Sequence, residues 1–272
     1  MNTITVTLTG LFTCLGIYLF VSAPVQMPDN DHALEEGKTI EVARLFAAAN
    51  AINEEARRIY TKRIVGATAP TGLQFSENWA DPDVDKGPLP ALFLRLAAKR
   101  MEARPEPLGL YLGSDAPINA SNLFLGDQAS SFASMKAQQG SSFQSFAVAV
   151  DRHVAMYPDY ASFQPCVTCH NEHPDSPKTD WKLGDMMGAT TWTYPDAELT
   201  PATYVATIEA FYRSVEEAYT LYLADVSRFA DPVLIGKEWP DRGQKVLPDV
   251  MTFMAEVRKA ASAEVFAQIV PP

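Results

Sequence analysis

The stretch that most constrains this chain is five residues long: Cys166-Val167-Thr168-Cys169-His170. Two thiols three positions apart can each add to one vinyl group of the same porphyrin, giving two thioether links. The histidine that follows is then held beneath the iron and offers an axial nitrogen. Other uses of the pattern fit less well. A structural zinc site takes four ligands, commonly two such pairs, and the sequence has no second pair. A thioredoxin-like C-x-x-C opens a helix after a strand and needs no following histidine. A plain disulfide needs neither the tight spacing nor the histidine. The spacing points to one covalently attached haem c, with Cys166 and Cys169 as thioether donors and His170 as the proximal iron ligand.

The 272 residues suffice for one or two domains with a proper core. With 47% apolar and 20% charged residues the chain reads as globular rather than disordered. A net charge of −11 argues against nucleic acid, whose phosphates it would repel. It fits an acidic surface that steers a basic redox partner or keeps the protein soluble. The third cysteine, Cys14, lies in an apolar segment, so no pair remains for a structural disulfide.

Residues 1–23 read as a membrane anchor or signal segment. From Thr3 to Ala23 no side chain is charged, and the length matches a bilayer crossing. The segment lacks a basic lead, and Pro24 spoils the small-residue cleavage site Val21-Ser22-Ala23, which favours an uncleaved anchor. An acidic flank follows, and basic residues mark the cytoplasmic side, so the body is expected outside the cytoplasm, where haem c is made. Cleavage would instead release it to the periplasm.

Residues 31–195 then read as the haem domain. A helix is expected over Asp31 to Val65, with Leu45, Ala49, Ile52, Ala56 and Ile59 as its buried stripe. A second stripe, Phe46, Asn50, Asn53, Arg57 and Tyr60, is polar for a face adjoining the core. It reads either as a half-solvated flank or as a face approaching the haem edge, with Arg57 neutralising a propionate and Asn50 or Asn53 bonding to an iron ligand. A loop is expected from Gly66 to Gly87, a helix from Leu89 to Ala103, a strand from Leu108 to Leu112 and a helix from Asp127 to Gln139. Alternation from Phe146 to Met156 predicts one strand ending at Tyr157-Pro158. After the motif, a proline-rich loop precedes a second strand, Met186 to Tyr194. Residues 200–272 predict a C-terminal helical hairpin that packs on itself, on the core or on another subunit; Thr200-Pro201 caps its first helix.

The run CVTCHNEHPDSPKTDWKLGDMMGA resembles the haem-attachment region of a family of bacterial extracytoplasmic c-type haem domains with a PAS-like fold. These are sensor modules of histidine kinases, cyclases and chemoreceptors, or free-standing cytochromes. The resemblance implies an α+β fold: a curved antiparallel sheet with flanking helices and one covalently bound haem, here followed by the helical hairpin. Family members often carry a basic residue where this chain has Met187, and family sensors usually continue through a second membrane span into an output domain.

The distal iron ligand is left open. The resemblance implies Met, Cys or water presented by the first long helix, which here has no Met or Cys and only His32 at its start. Met156, His153, Met186 and Met187 are weaker candidates, since Met or His on a strand more often packs. His173 is expected to bond locally or to a propionate. An exchangeable distal site follows. Two functions fit: a redox or small-gas sensing module with a signalling partner and a homodimer through its helices, or an electron carrier between periplasmic or membrane partners. An enzyme would want distal acid–base groups that no spacing here requires, so none is expected.

Overall fold

Apolar stripes on four helices and one sheet decide how this chain folds. The computed structural model describes residues 39–269 apart from Gln139 and Arg242. The expected membrane segment, residues 1–23, lies outside the described residues, as does His32. Among the described residues no helix is long and apolar enough to cross a membrane.

A two-residue strand, β1 (Ile40–Glu41), leads into helix α1 (Val42–Ile59). The stripe Leu45, Ala49, Ile52, Ala56 and Ile59 is fully buried, as its spacing predicts. The helix then widens into a π segment, Tyr60–Val65, that the periodicity did not announce. The expected loop after it holds two short parallel strands, β2 (Gln74–Ser76) and β3 (Lys86–Pro88), and α2 follows (Pro90–Glu102). Pro90 stands at the start of α2, where its missing N–H costs nothing.

Next come β4 (Gly109–Gly113), α3 (Asp127–Ala137), β5 (Phe143–Ala147), β6 (Arg152–Tyr160), α4 (Gln164–Glu172) and β7 (Met186–Tyr194). The four strands form one antiparallel sheet in the order β4-β7-β6-β5. The single strand predicted over Phe146–Met156 is instead a hairpin. A 3-10 turn at Val148–Val150 and a left-handed Asp151, at φ 53°, reverse the chain. Asp tolerates that conformation better than a branched residue, and Val148 and Val150 are left exposed at the tip. β6 also runs past Pro158. Its pairing with β5 stops at Met156, so a missing N–H at Pro158 forfeits no ladder bond on that side.

The C-terminal part contains β8 (Glu198–Leu199), α5 (Pro201–Val226), β9 (Leu234–Gly236), β10 (Val246–Pro248) and α6 (Val250–Ile269). Thr200 caps α5 by accepting the Thr203 N–H at 3.1 Å. α5 packs chiefly on α2 and α6 chiefly on α1, so these helices belong to the core rather than to a free-standing hairpin. Alternation divides the sheet. Ala155, Trp192 and Tyr194 face the helical core, while Met156 and Ala189 face α3 with Phe124, Phe132 and Met135. The class is α+β, as expected.

Candidate haem-attachment site

The motif lies on α4. Phe163 precedes the helix in an extended conformation, and Pro165 sits in its first turn. Val167, the inward residue, packs with Ala161 and Trp181, and Met187 and Ala116 close over them. Asn171 clips the following loop back: its amide donates to the Trp181 carbonyl at 3.0 Å and accepts the Trp181 N–H at 2.8 Å. The helix is therefore held by its Val167 side. Cys166 is half-buried, Cys169 is exposed, and both are free thiols. His170 is half-buried, and its Nδ1 is buried with no hydrogen-bond partner.

The wall beside the motif comes from α1 and the end of β6. Arg57 forms an ion pair with Asp159, five residues before α4. Burial pulls the guanidinium down, but Asp159 more than offsets it and the net shift is upward. Burial pushes the Cys166 thiol up, and the nearby Arg57 opposes that shift. Burial likewise raises Cys169, with Glu77 and Glu172 adding to it. Burial lowers His170, only partly opposed by Asp159, which favours the neutral imidazole that a metal requires. Glu54 is raised by burial, against the pull of its Asn50 hydrogen bond.

Each residue singled out in the sequence can now be placed. Arg57 is beside Cys166 and His170 in the electrostatics of the site, engaged with Asp159. Asn50 and Asn53 are buried, not half-solvated. Asn50 accepts the Trp192 indole N–H at 3.2 Å and donates to Glu54 at 2.8 Å, so its amide is committed to the sheet face; Asn53 Oδ1 is buried without a partner. Met156 packs on the α3 side of the sheet, the opposite side from α1. His153 meets the Phe146 ring at 5.0 Å. Met186 lines a cleft of about 290 Å³ with Asp115, Lys136, Lys178 and Trp181, and Met187 packs on the Val167 cluster. His173 accepts the Asp175 N–H at 3.2 Å, and its Nε2 lies 3.5 Å from Glu77.

Three site residues escaped the sequence reading. Asp159 and Glu54 surround Arg57, but a charge in a strand and a charge in a helix carry no pairing signal in one sequence. Phe163 packs just beyond the π segment: a Cβ at Gly66 would meet its ring at 3.2 Å. Only the Gly, just past the helix, hinted at a close approach there.

A haem c needs two reactive thiols at this spacing and an imidazole with an available nitrogen. The free thiols, the shared helix and the unpartnered ring nitrogen of His170 supply that set. Among the described residues no group of three or more His, Cys, Asp or Glu could hold a bare metal ion. Residues 43–195, more than half of the chain, match the Tll0287-like family, a family of c-type haem-binding domains, and the chain belongs to it. No curated protein and no solved structure matches the chain.

Proposed function

We propose that this Tll0287-like protein binds one haem c covalently through Cys166 and Cys169, with His170 as proximal ligand, in a PAS-like domain that senses redox state or a small gas. The observation that carries the reading is the placement of both thiols and the imidazole on one short helix, whose buried ring nitrogen has no other partner. When bound, the haem supplies a reversible one-electron centre and an iron coordination position. The chain's own residues hold the ring: the Val167 cluster fixes α4, and Arg57 with Asp159 sets the charge beside it. The sheet order β4-β7-β6-β5, with the first strand of the sheet beside its last, supports the PAS-like layout.

Sensing is supported by α1. This helix carries Arg57 at the site and packs along α6, so a change at the haem would press on an element that reaches the far helices. The protein is expected to work outside the cytoplasm, tethered by residues 1–23, without enzymatic activity of its own. The exposure of Cys169 favours a second reading, since a ring attached there would present an edge to solvent and could pass electrons to a partner. Absorption spectra of the oxidised and reduced protein, with and without carbon monoxide and nitric oxide, separate the two. An open distal site predicts that the reduced spectrum shifts with carbon monoxide. A spectrum that stays low-spin and unchanged in both redox states would reject the gas-sensing reading and favour the carrier.

A further inference from the structure

The helical core contains the same unit twice. We infer that residues 198–269 are a second copy of the unit formed by residues 40–102, and that this copy is the built-in partner of the haem domain's helical face. Each unit runs strand, long helix, two parallel strands, helix: β1-α1-β2-β3-α2 and β8-α5-β9-β10-α6. The parallel pairs match position by position at a constant offset of 160 (74 to 234, 86 to 246). Gln74, Phe75 and Ser76 pair with Lys86, Gly87 and Pro88; Leu234, Ile235 and Gly236 pair with Val246, Leu247 and Pro248.

The loops between these strands share two backbone bonds. Val84 N–H donates to the Asp81 carbonyl at 3.1 Å and Lys86 N–H to Val84 at 3.0 Å; Gln244 N–H donates to Asp241 at 3.0 Å and Val246 N–H to Gln244 at 3.0 Å. Trp79, Asp81, Pro88 and Phe93 recur as Trp239, Asp241, Pro248 and Phe253. The long helices are tied in the same way. The Tyr60 hydroxyl donates to the Pro88 carbonyl at 2.8 Å, and the Tyr219 hydroxyl to that of Pro248 at 2.8 Å. Tyr60 stacks on Phe93 with centroids 4.4 Å apart, and Tyr219 on Phe253 at 4.1 Å.

The two copies meet as the halves of a two-fold dimer meet. β1 and β8 are antiparallel, with Ile40 opposite Leu199, the residue that precedes α5 by the same two positions as Ile40 precedes α1. An element facing its own equivalent is the mark of an isologous interface. The same holds in the core, where Phe93 meets Phe253 edge-on at 5.9 Å. The helices exchange partners across the axis: α1 of the first copy packs on α6 of the second, and α5 of the second on α2 of the first. The closing of this face is intramolecular, so the tether supplies the partner at high effective concentration.

The copies differ where the first meets the haem motif. Glu54 and Arg57 have Arg213 and Glu216 at the equivalent positions, Glu77 has Lys237, and α5 stays α-helical where α1 turns into a π segment. π segments often occur at functional sites. The second copy keeps the frame and drops the contacts to the motif. The expected homodimer through the helices thus has its place taken within one chain.

The pair Glu41 and Glu198, exposed and directly opposite across β1 and β8, gives the test. Cα atoms of opposed antiparallel residues fall within disulfide range. The full-length Glu41→Cys/Glu198→Cys variant, mildly oxidised and mapped by peptide mass spectrometry, should link these two positions within one chain. Light scattering on the unmodified full-length chain should then give the mass of one chain. A link joining two chains, or no link between these positions, would overturn the inference. Neither result depends on whether haem is bound.

Discussion

Glu54 is a single residue beside the motif whose burial works against its charge. Burial holds its carboxyl above the usual 4.5, with Asp159 adding to the shift, while the Asn50 amide and Arg57 pull the other way. A raised folded value means that the native state binds the proton more tightly than the unfolded chain. The associated stability is then fully present below pH 4.5 and is lost as pH rises through the folded value. At neutral pH an ionised Glu54 therefore weighs against the fold. Glu54→Gln keeps an acceptor for the Asn50 amide, which reaches it at 2.8 Å, and removes the charge. The variant should melt higher than the parent at pH 7, with the difference fading below the ordinary carboxylate range. A lower melting temperature at pH 7 would contradict the assignment.

At the scale of elements, the sheet is only as sound as the contact between β4 and β7. A Cβ at Gly188 would run into the carbonyl oxygen of Gly113, a backbone atom with little room to give. Gly188→Ala should cost about 1–3 kcal/mol, the usual scale for forcing atoms into a packed site. Urea unfolding would show it as a lower midpoint with an unchanged slope; an unchanged midpoint would mean that the strands separate freely there. The sequence was most legible for such elements where one residue pattern served one purpose. The buried stripe of α1, the β7 run of Thr and aromatic residues and the Thr200 cap all stand as their patterns predict.

Legibility failed where local pattern and long-range geometry diverge. The alternation of Phe146 to Met156 continues through a reversal, because both arms of a hairpin alternate alike. The π segment adds a residue without changing which residue types are apolar. Asn50 reads as part of a half-solvated flank or of a face toward the haem edge, yet it is buried against a Trp192 indole 142 positions away. The five-residue motif stood out by its spacing, but the helix Gln164–Glu172 that carries it did not, because Pro165 and the prolines after the motif read as a loop.

At the scale of the whole molecule, the C-terminal helices are structural partners of the haem domain. α5 and α6 bury Tyr204, Phe211, Tyr219, Tyr222 and Phe253 in the same core that holds Leu45, Ile52 and Phe93. Removing either set would expose several large side chains, each worth about 1.5–3 kcal/mol of burial. Far-ultraviolet circular dichroism and tryptophan fluorescence should therefore report one coincident thermal transition. Two separated transitions would mean that the helical part unfolds apart from the sheet.

The central claim is that haem is fixed to Cys166 and Cys169. Intact mass spectrometry of the chain, matured in a host with haem c assembly and washed with acidified acetone, tests it most directly. The expected result is a chain heavier by one haem that survives extraction, and a mass without haem in the Cys166→Ser/Cys169→Ser variant. Haem that washes away from the unaltered chain, or a Cys166–Cys169 disulfide in its place, would contradict it.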